Sequence, residues 1–303
     1  MTGILATTLG PLRLRNPVLV ASGTFGYGID YEDVMDISRI GGISVKGISL
    51  APRQGNPPPR VCETPAGMLN AIGLANIGFD AFVAGPLPRL RELGATVIVN
   101  TYGTSAEEFA ELARRFDKID GVAALEVNIS CPNVKAGGIH FGMRPEPAAE
   151  VTRAVRDSTH LPVIVKLSPE AVDLGGVAQA VVEAGADALS VMNTIRGMSI
   201  DVETRRPRLG SVMGGLSGPA IRPLAVRLVY DVHKVVSAPI IGIGGITCLR
   251  DALEFFLAGA SAVQVGTANY SNPRTSIDII DDFEKYCIER NLRPSDLTGQ
   301  IQI

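Results

Sequence analysis

Pro162-Val163-Ile164-Val165-Lys166-Leu167-Ser168 and Ala188-Leu189-Ser190-Val191-Met192-Asn193 are two apolar, β-branched-rich runs. Between them Ala178-Gln179-Ala180-Val181-Val182-Glu183-Ala184 has helical spacing, and Gly185 follows it. A run that is apolar at successive positions suits a strand covered on both faces. A glycine just past a helix suits a left-handed cap. The segment therefore reads as strand, helix, strand, with the two strands parallel.

The same rhythm extends in both directions. Further strand-like runs are Asn16–Ser22, Gly42–Gly47, Thr96–Asn100, Ala124–Ser130, Pro239–Gly244 and Ala262–Thr267. Helical patterns lie between them, as in Glu107-Glu108-Phe109-Ala110-Glu111-Leu112-Ala113, and Gly94 and Gly259 mark further helix ends. Eight strand–helix units predict an α/β fold, a closed (β/α)8 TIM barrel. A doubly wound open sheet is the alternative. No Ser-rich or Pro-rich linker divides the chain, so residues 1–303 are expected to form a single domain. Two segments break the rhythm. Ile4–Arg15, around Gly10-Pro11, reads as an N-terminal β-hairpin covering the barrel bottom. Met198–Ala220 reads as a long loop after strand six. It holds Arg205, Arg206 and Arg208, whose plain reading is a solvated surface.

Composition excludes several function classes. The chain has 303 residues, 46% hydrophobic and 19% charged, with a net charge of −3. That size supports a large core without disulfide or metal staples. The weakly acidic balance argues against a nucleic-acid partner. Mean hydropathy is +0.23, yet no run reaches the roughly 18 apolar residues of a membrane span. The N-terminus lacks a secretory pattern. A cytoplasmic chain with reduced thiols is the expectation. Cys62, Cys131, Cys248 and Cys287 are widely spaced, so neither a zinc nor an iron–sulfur site is expected. All but Cys131 read as buried small hydrophobes.

Barrels of this kind build their sites at the C-terminal strand ends. Polar residues that look out of place collect there: Ser22, Lys46, Asn100, Asn128, Lys166, Asn193, Gly244-Gly245 and Gly266-Thr267. A lysine in an apolar strand is costly unless its charge is paired. The glycines after strands seven and eight, with Gly218, suit main-chain binding of a phosphate. Asn128-Ile129-Ser130-Cys131-Pro132-Asn133 places a thiol at the barrel mouth. A thiol there serves as base or nucleophile if its pKa falls towards neutral. Asn70 adds a further amide, and asparagines pair with planar amide or imide rings. No nucleophile elbow or clustered histidine motif is present.

At these residues the chain resembles the dihydroorotate dehydrogenases, flavin enzymes of pyrimidine biosynthesis. The resemblance is carried by Val45-Lys46-Gly47, Asn70–Leu74, Asn128–Asn133, Val165-Lys166-Leu167, Asn193-Thr194, Gly214–Pro219, Gly242–Ile246 and Val265-Gly266-Thr267. Ala51–Arg60 and Asn193–Met198 favour the two-subunit, NAD-linked class 1B. Cys131 argues against the membrane-associated class, which uses serine as base. The resemblance implies FMN with its phosphate at Gly218, Gly244, Gly245, Gly266 and Thr267. It implies flavin contacts from Ser22, Lys46, Gly47, Asn100, Asn128, Lys166 and Met192. Asn70, Ala71, Ile72, Gly73, Leu74, Asn128, Asn193 and Thr194 would hold the pyrimidine ring, and Lys46 would face the substrate carboxylate. Cys131 would take the proton from C5 of dihydroorotate while hydride leaves C6 for flavin N5, giving orotate. Lys166 would stabilise reduced FMN.

The class also implies a partner subunit bearing FAD and a 2Fe-2S cluster, with a homodimer of this chain inside a heterotetramer. Neither a clustered-Cys motif nor a nicotinamide fingerprint occurs in this chain. Three rival readings stay open. One is another FMN barrel acting on a uracil-type ring, or passing electrons to a soluble acceptor such as fumarate. The second is a non-redox barrel forming a Schiff base at Lys166. The third is a passive ligand-binding barrel.

Overall fold

A computed structural model of the chain describes residues 3–130 and 141–303. Eight parallel strands close into a barrel. They are β1 (Val18–Val20), β2 (Gly42–Ile48), β3 (Val97–Thr101), β4 (Val122–Asn128), β5 (Val163–Lys166), β6 (Ala188–Val191), β7 (Ile240–Ile243) and β8 (Ala262–Val265). Each coincides with one of the apolar runs. The open-sheet alternative is thereby excluded, because β8 pairs with β1.

The helices form the outer ring. After β2 come α1 (Gly78–Ala84) and α2 (Pro86–Glu92). After β3, β4 and β5 come α3 (Ala106–Phe116), α4 (Pro145–Arg156) and α5 (Leu174–Glu183). After β6 and β7 come α6 (Arg222–His233) and α7 (Leu249–Ala258), and after β8 come α8 (Ala268–Ser271) and α9 (Thr275–Arg290). Local chemistry explains α3. Ser105 accepts from Glu108 N at 3.3 Å, acids fill the first turn and arginines the last. That arrangement caps the helix and suits its dipole. Its inner face buries Phe109, Leu112, Ala113 and Phe116. The expected eight strand–helix units hold in all but the first. Two 3-10 turns, Ile29–Tyr31 and Ile37–Arg39, stand where an α-helix was expected. Gly23, Gly26 and Gly28 take φ of 82°, 54° and 95° there, which no α-helix accommodates.

Side-chain alternation stacks the barrel interior in layers. Leu19, Ile98, Ile164 and Ile241, from the odd strands, pack in one apolar cluster with Ala124, Ala188 and Ala262 from the even strands. The N-terminal hairpin, Thr7–Leu9 paired with Leu12–Leu14, adds Leu9, Leu12 and Leu14 to that cluster. It plugs the bottom, as expected. The next layer is polar: Ser44, Glu126, Ser190 and Gln264, all fully buried on even strands. Above it the strand ends open into a cavity.

The segment expected to be a long loop after strand six is instead ordered as sheet. Ile195–Met198 pairs with Met213–Ser217, which pairs with Gly67–Asn70, which pairs with Val61–Thr64. Its glycines serve close packing rather than turns. A Cβ on Gly215 would lie 1.9 Å from Thr194 Oγ1, and one on Gly214 would lie 2.5 Å from Asn70 O. The sheet therefore presses Asn70 and Thr194 against one wall of the cavity. Arg205, Arg206 and Arg208 are exposed in and beside a separate two-stranded pairing of Ile200–Asp201 with Arg206–Pro207. Among the described residues no helix is long and apolar enough to cross a membrane.

Candidate active site

The cavity at the barrel mouth has a volume of about 1030 Å³, at the upper end of the roughly 300–1,000 Å³ usual for small-molecule sites. Its floor is made by strand ends. Asn100 and Lys166 line it from β3 and β5, and Lys46, Asn128 and Met192 from β2, β4 and the residue after β6. Gly47 lines it from within β2, and Ser22, Gly266 and Thr267 line it from the strand-end loops. Asn70, Ile72, Gly73, Leu74, Asn193 and Thr194 form the wall beneath the small sheet. Ala71 departs from this set. Its side chain is buried with Cys62, Leu69 and Leu209 in a separate cluster, because successive residues of an extended segment face opposite ways.

Lys166 has 5% of its side chain exposed and lies 3.7 Å from Glu126 Oε1. Burial pushes the Glu126 carboxyl up. The Lys166 ammonium and hydrogen bonds from Gln264, Asn100 and Ser190 outweigh it and hold that carboxyl below the usual range. Asn100 Nδ2 donates to Oε1 at 2.6 Å, while Ser190 Oγ and Gln264 Nε2 each donate to Oε2 at 2.9 Å. Lys46 differs. Among the described residues it forms no ion pair with a carboxylate. Burial first, and the Arg60 guanidinium second, pull its ammonium below the ordinary lysine value. A half-buried cation of that kind attracts an anionic ligand group.

The amides are oriented by a hydrogen-bond chain. Ser130 donates through Oγ to Asn128 Oδ1 at 3.0 Å, and Asn128 Nδ2 donates to Asn100 Oδ1 at 3.3 Å. Asn193 Nδ2 donates to Ser130 Oγ at 2.9 Å, and Thr194 N donates to Asn193 Oδ1 at 2.7 Å. Asn70 Nδ2 donates to Gly215 O at 3.2 Å. Side chains fixed by such bonds present a planar ring with a set pattern of polar groups. Ser130 thus tethers two of the three predicted ring-binding asparagines. Cys131, the next residue in the chain, lies outside the described residues, as do Pro132, Asn133 and His140.

A third wall gathers glycines. Gly218, Gly244 and Gly245 line the cavity with φ of 96°, 139° and 71°. A Cβ on Gly245 would stand 2.8 Å from Gly218 O and 2.9 Å from Arg222 Cβ. Thr267 Oγ1 donates to Ser217 Oγ at 2.7 Å, joining this wall to the end of β8. Bare main chain at this place in the fold suits an anionic oxygen cluster such as a phosphate. The mouth therefore offers an anion cradle on one side, two cations and a fan of amides between.

Sequence reading overlooked Glu126, Ser130, Ser190 and Gln264. Glu126 gave a usable signal, since it is a carboxylate inside the apolar run Ala124–Ser130. Ser190 and Gln264 are single polar residues in apolar strands, a weaker sign. Of the remaining cysteines, Cys62 and Cys287 are buried, as read. Cys248 is exposed instead, at the N-cap position of α7, where a helix end meets solvent.

Comparison with known proteins adds identity to this geometry. A family model described as dihydroorotate dehydrogenase matches residues 4–286. Three relatives share the name dihydroorotate dehydrogenase B (NAD(+)), catalytic subunit. One, from Trichlorobacter lovleyi, is 54% identical over 303 residues, covering 100% of both chains. Another, from Geotalea daltonii, is 53% identical over 300 residues, covering 99% of this chain and 98% of the relative. A third, from Desulforamulus reducens, is 56% identical over 288 residues, covering 95% of each. The chain belongs to the dihydroorotate dehydrogenase family.

Proposed function

We propose that this chain is the catalytic subunit of an NAD-linked dihydroorotate dehydrogenase, an oxidoreductase that converts (S)-dihydroorotate to orotate in pyrimidine biosynthesis with FMN at the barrel mouth. The observation that carries the reading is the composition of one cavity. It has a glycine cradle, a paired lysine, a lysine without a carboxylate partner among the described residues, and asparagines locked by Ser130. FMN, when bound, supplies the acceptor for the hydride from C6 of the substrate.

The chain's own residues divide the remaining work. Gly218, Gly244, Gly245, Gly266 and Thr267 bind the FMN phosphate. Ser22, Gly47, Asn100, Asn128, Lys166 and Met192 surround the isoalloxazine ring, with Lys166 offsetting negative charge. Asn70, Asn128, Asn193 and Thr194, with the 71–74 segment, orient the pyrimidine ring. Lys46 takes the substrate carboxylate. Cys131 removes the C5 proton, a role open to a thiol whose ordinary pKa is about 8.5. Holding base and ring in register contributes to rate through proximity and orientation.

The relatives' names speak of a catalytic subunit, which supports a separate subunit that completes the NAD-linked reaction. The proposed partner carries FAD and a 2Fe-2S cluster and binds a homodimer of this chain in a heterotetramer. The Schiff-base reading loses support from Glu126, since an ion-paired ammonium is not a nucleophile. Orotate formation from dihydroorotate tests the assignment, measured with an artificial electron acceptor, with NAD⁺ alone, and with NAD⁺ plus the partner. Orotate is expected with the artificial acceptor and with the partner. Rapid NAD⁺ reduction by the lone chain would overturn the partner, and no orotate under any condition would overturn the substrate.

A further inference from the structure

Glu126 lies beneath the cavity rather than in it, and no role assigned above requires it. It is fully buried, and its two oxygens meet four neighbouring elements of the barrel. Oε1 takes Asn100 from β3 at 2.6 Å and faces Lys166 of β5 at 3.7 Å. Oε2 takes Ser190 from β6 and Gln264 from β8, each at 2.9 Å, and Gln264 Nε2 also donates to Ser44 Oγ of β2 at 3.0 Å. The other titratable groups lining the cavity are Lys46, Glu63 and Tyr270 among the described residues. Of these groups, only Lys166 is ion-paired to Glu126. A carboxylate in an apolar barrel is costly, and a hydrophobic residue of similar volume would serve stability as well or better. Its presence under two predicted flavin contacts calls for a functional account.

We infer that Glu126 is a positioning residue for the redox step: its buried carboxylate keeps the Lys166 ammonium charged and in place in both oxidation states of the flavin. The inference rests on the FMN reading above. In the wild-type chain, reduction then adds two electrons and one proton to the flavin, with Lys166 already charged. Without the carboxylate, Lys166 faces oxidised, neutral flavin as a buried cation with no counter-charge, and it gives up its proton to solvent. Reduction then places a negative charge beside it, and Nζ takes a proton back from solvent. Two electrons now travel with two protons, one on the flavin and one on Lys166.

The test is the midpoint potential of bound flavin against pH in the wild-type holoprotein and in Glu126→Gln, with dithionite as reductant, above about pH 7, where reduced flavin is anionic and ordinary lysine stays charged. Each coupled proton changes the reduced-to-oxidised ratio tenfold per pH unit, about 30 mV for a two-electron couple. The expected slope is one proton for wild type and two for Glu126→Gln, with the one-proton slope restored in Glu126→Gln/Lys166→Met. An unchanged slope in Glu126→Gln would overturn the inference while leaving the FMN reading intact. A wild-type chain that binds no flavin would overturn both. Should Glu126→Gln fail to fold, the double variant decides the matter. Its recovery of folding and flavin binding supports a counter-ion to Lys166, and its failure assigns Glu126 to the scaffold instead.

Discussion

The two ends of this barrel are built from the same eight strands and differ in almost every other respect. At the bottom, Leu19, Ile98, Ile164 and Ile241 close the interior and the N-terminal hairpin seals it with three leucines. At the top, Asn100 and Lys166 stand two residues beyond Ile98 and Ile164, Lys46 and Asn128 stand near the ends of β2 and β4, and the interior opens into a cavity. The boundary is the layer of Ser44, Glu126, Ser190 and Gln264. A few residues along a strand separate the part that holds the fold from the part that meets ligands. Substitutions at the two ends should accordingly fail in different ways.

The largest effect is expected from loss of the proposed general base. Cys131→Ala should keep flavin and fold while losing turnover by about 10²–10⁴-fold, the usual worth of a general base. Single-turnover reduction by dihydroorotate reads this directly, and full activity would remove the thiol from the mechanism. The complementary variant is Ile164→Ala at the bottom. It should cost about 2–5 kcal/mol in denaturant unfolding, the range for deleting a packed branched side chain. Turnover per folded molecule should stay near wild type. A large loss of turnover in the surviving folded fraction would show that the two ends are coupled.

A finer contrast lies within the top itself. Lys46→Ala should raise the dihydroorotate KM roughly ten- to a hundredfold, as expected for loss of a charge-assisted bond of about 1.5–3 kcal/mol. Lys166→Ala should raise it less and act on flavin reduction instead. Equal losses of substrate affinity would dissolve the proposed division between the two lysines.

The smallest effect concerns a bottom-end brace. Asp117, just past α3, accepts from Thr159 Oγ1 at 2.7 Å, from His160 N at 2.5 Å and from the His160 ring at 3.0 Å. Burial pushes its carboxyl up, but those hydrogen bonds and the adjacent histidine bring it down to about 2. A depressed carboxylate stabilises the fold above its unfolded pKa of about 3.9, and that contribution is lost as pH falls through its folded value. Asp117→Asn should therefore cost about 1 kcal/mol at neutral pH after solvent screening. The gap to wild type should close between about pH 4 and 2. A gap independent of pH would show that the brace works by shape alone.

The strands were legible because burial on both faces leaves no polar alternation to confuse the reading, as in Val163-Ile164-Val165. The bottom hairpin was legible from Gly10-Pro11 between two alternating pieces. The helix missing after β1 was not, since three spaced glycines outweigh neighbouring helical propensity. The small sheet over the mouth was misread because Gly214 and Gly215 look like turn residues when their partners, Asn70 and Thr194, are distant or unseen in the sequence. Strand-end lysines and asparagines announced themselves by contrast with apolar neighbours. Glu126 should have done so by the same logic. Its importance became visible only when the barrel closed and brought β3, β5, β6 and β8 around one carboxylate.

The claim on which the rest depends is that the top of this barrel holds a flavin and reduces it with dihydroorotate. The visible absorption spectrum of the purified chain, reconstituted with FMN where needed, before and after anaerobic dihydroorotate, tests it in one cuvette. A yellow protein that bleaches on adding substrate is the expected result. A yellow protein that stays yellow would contradict the substrate, and a chain that cannot take up FMN would contradict the redox site itself.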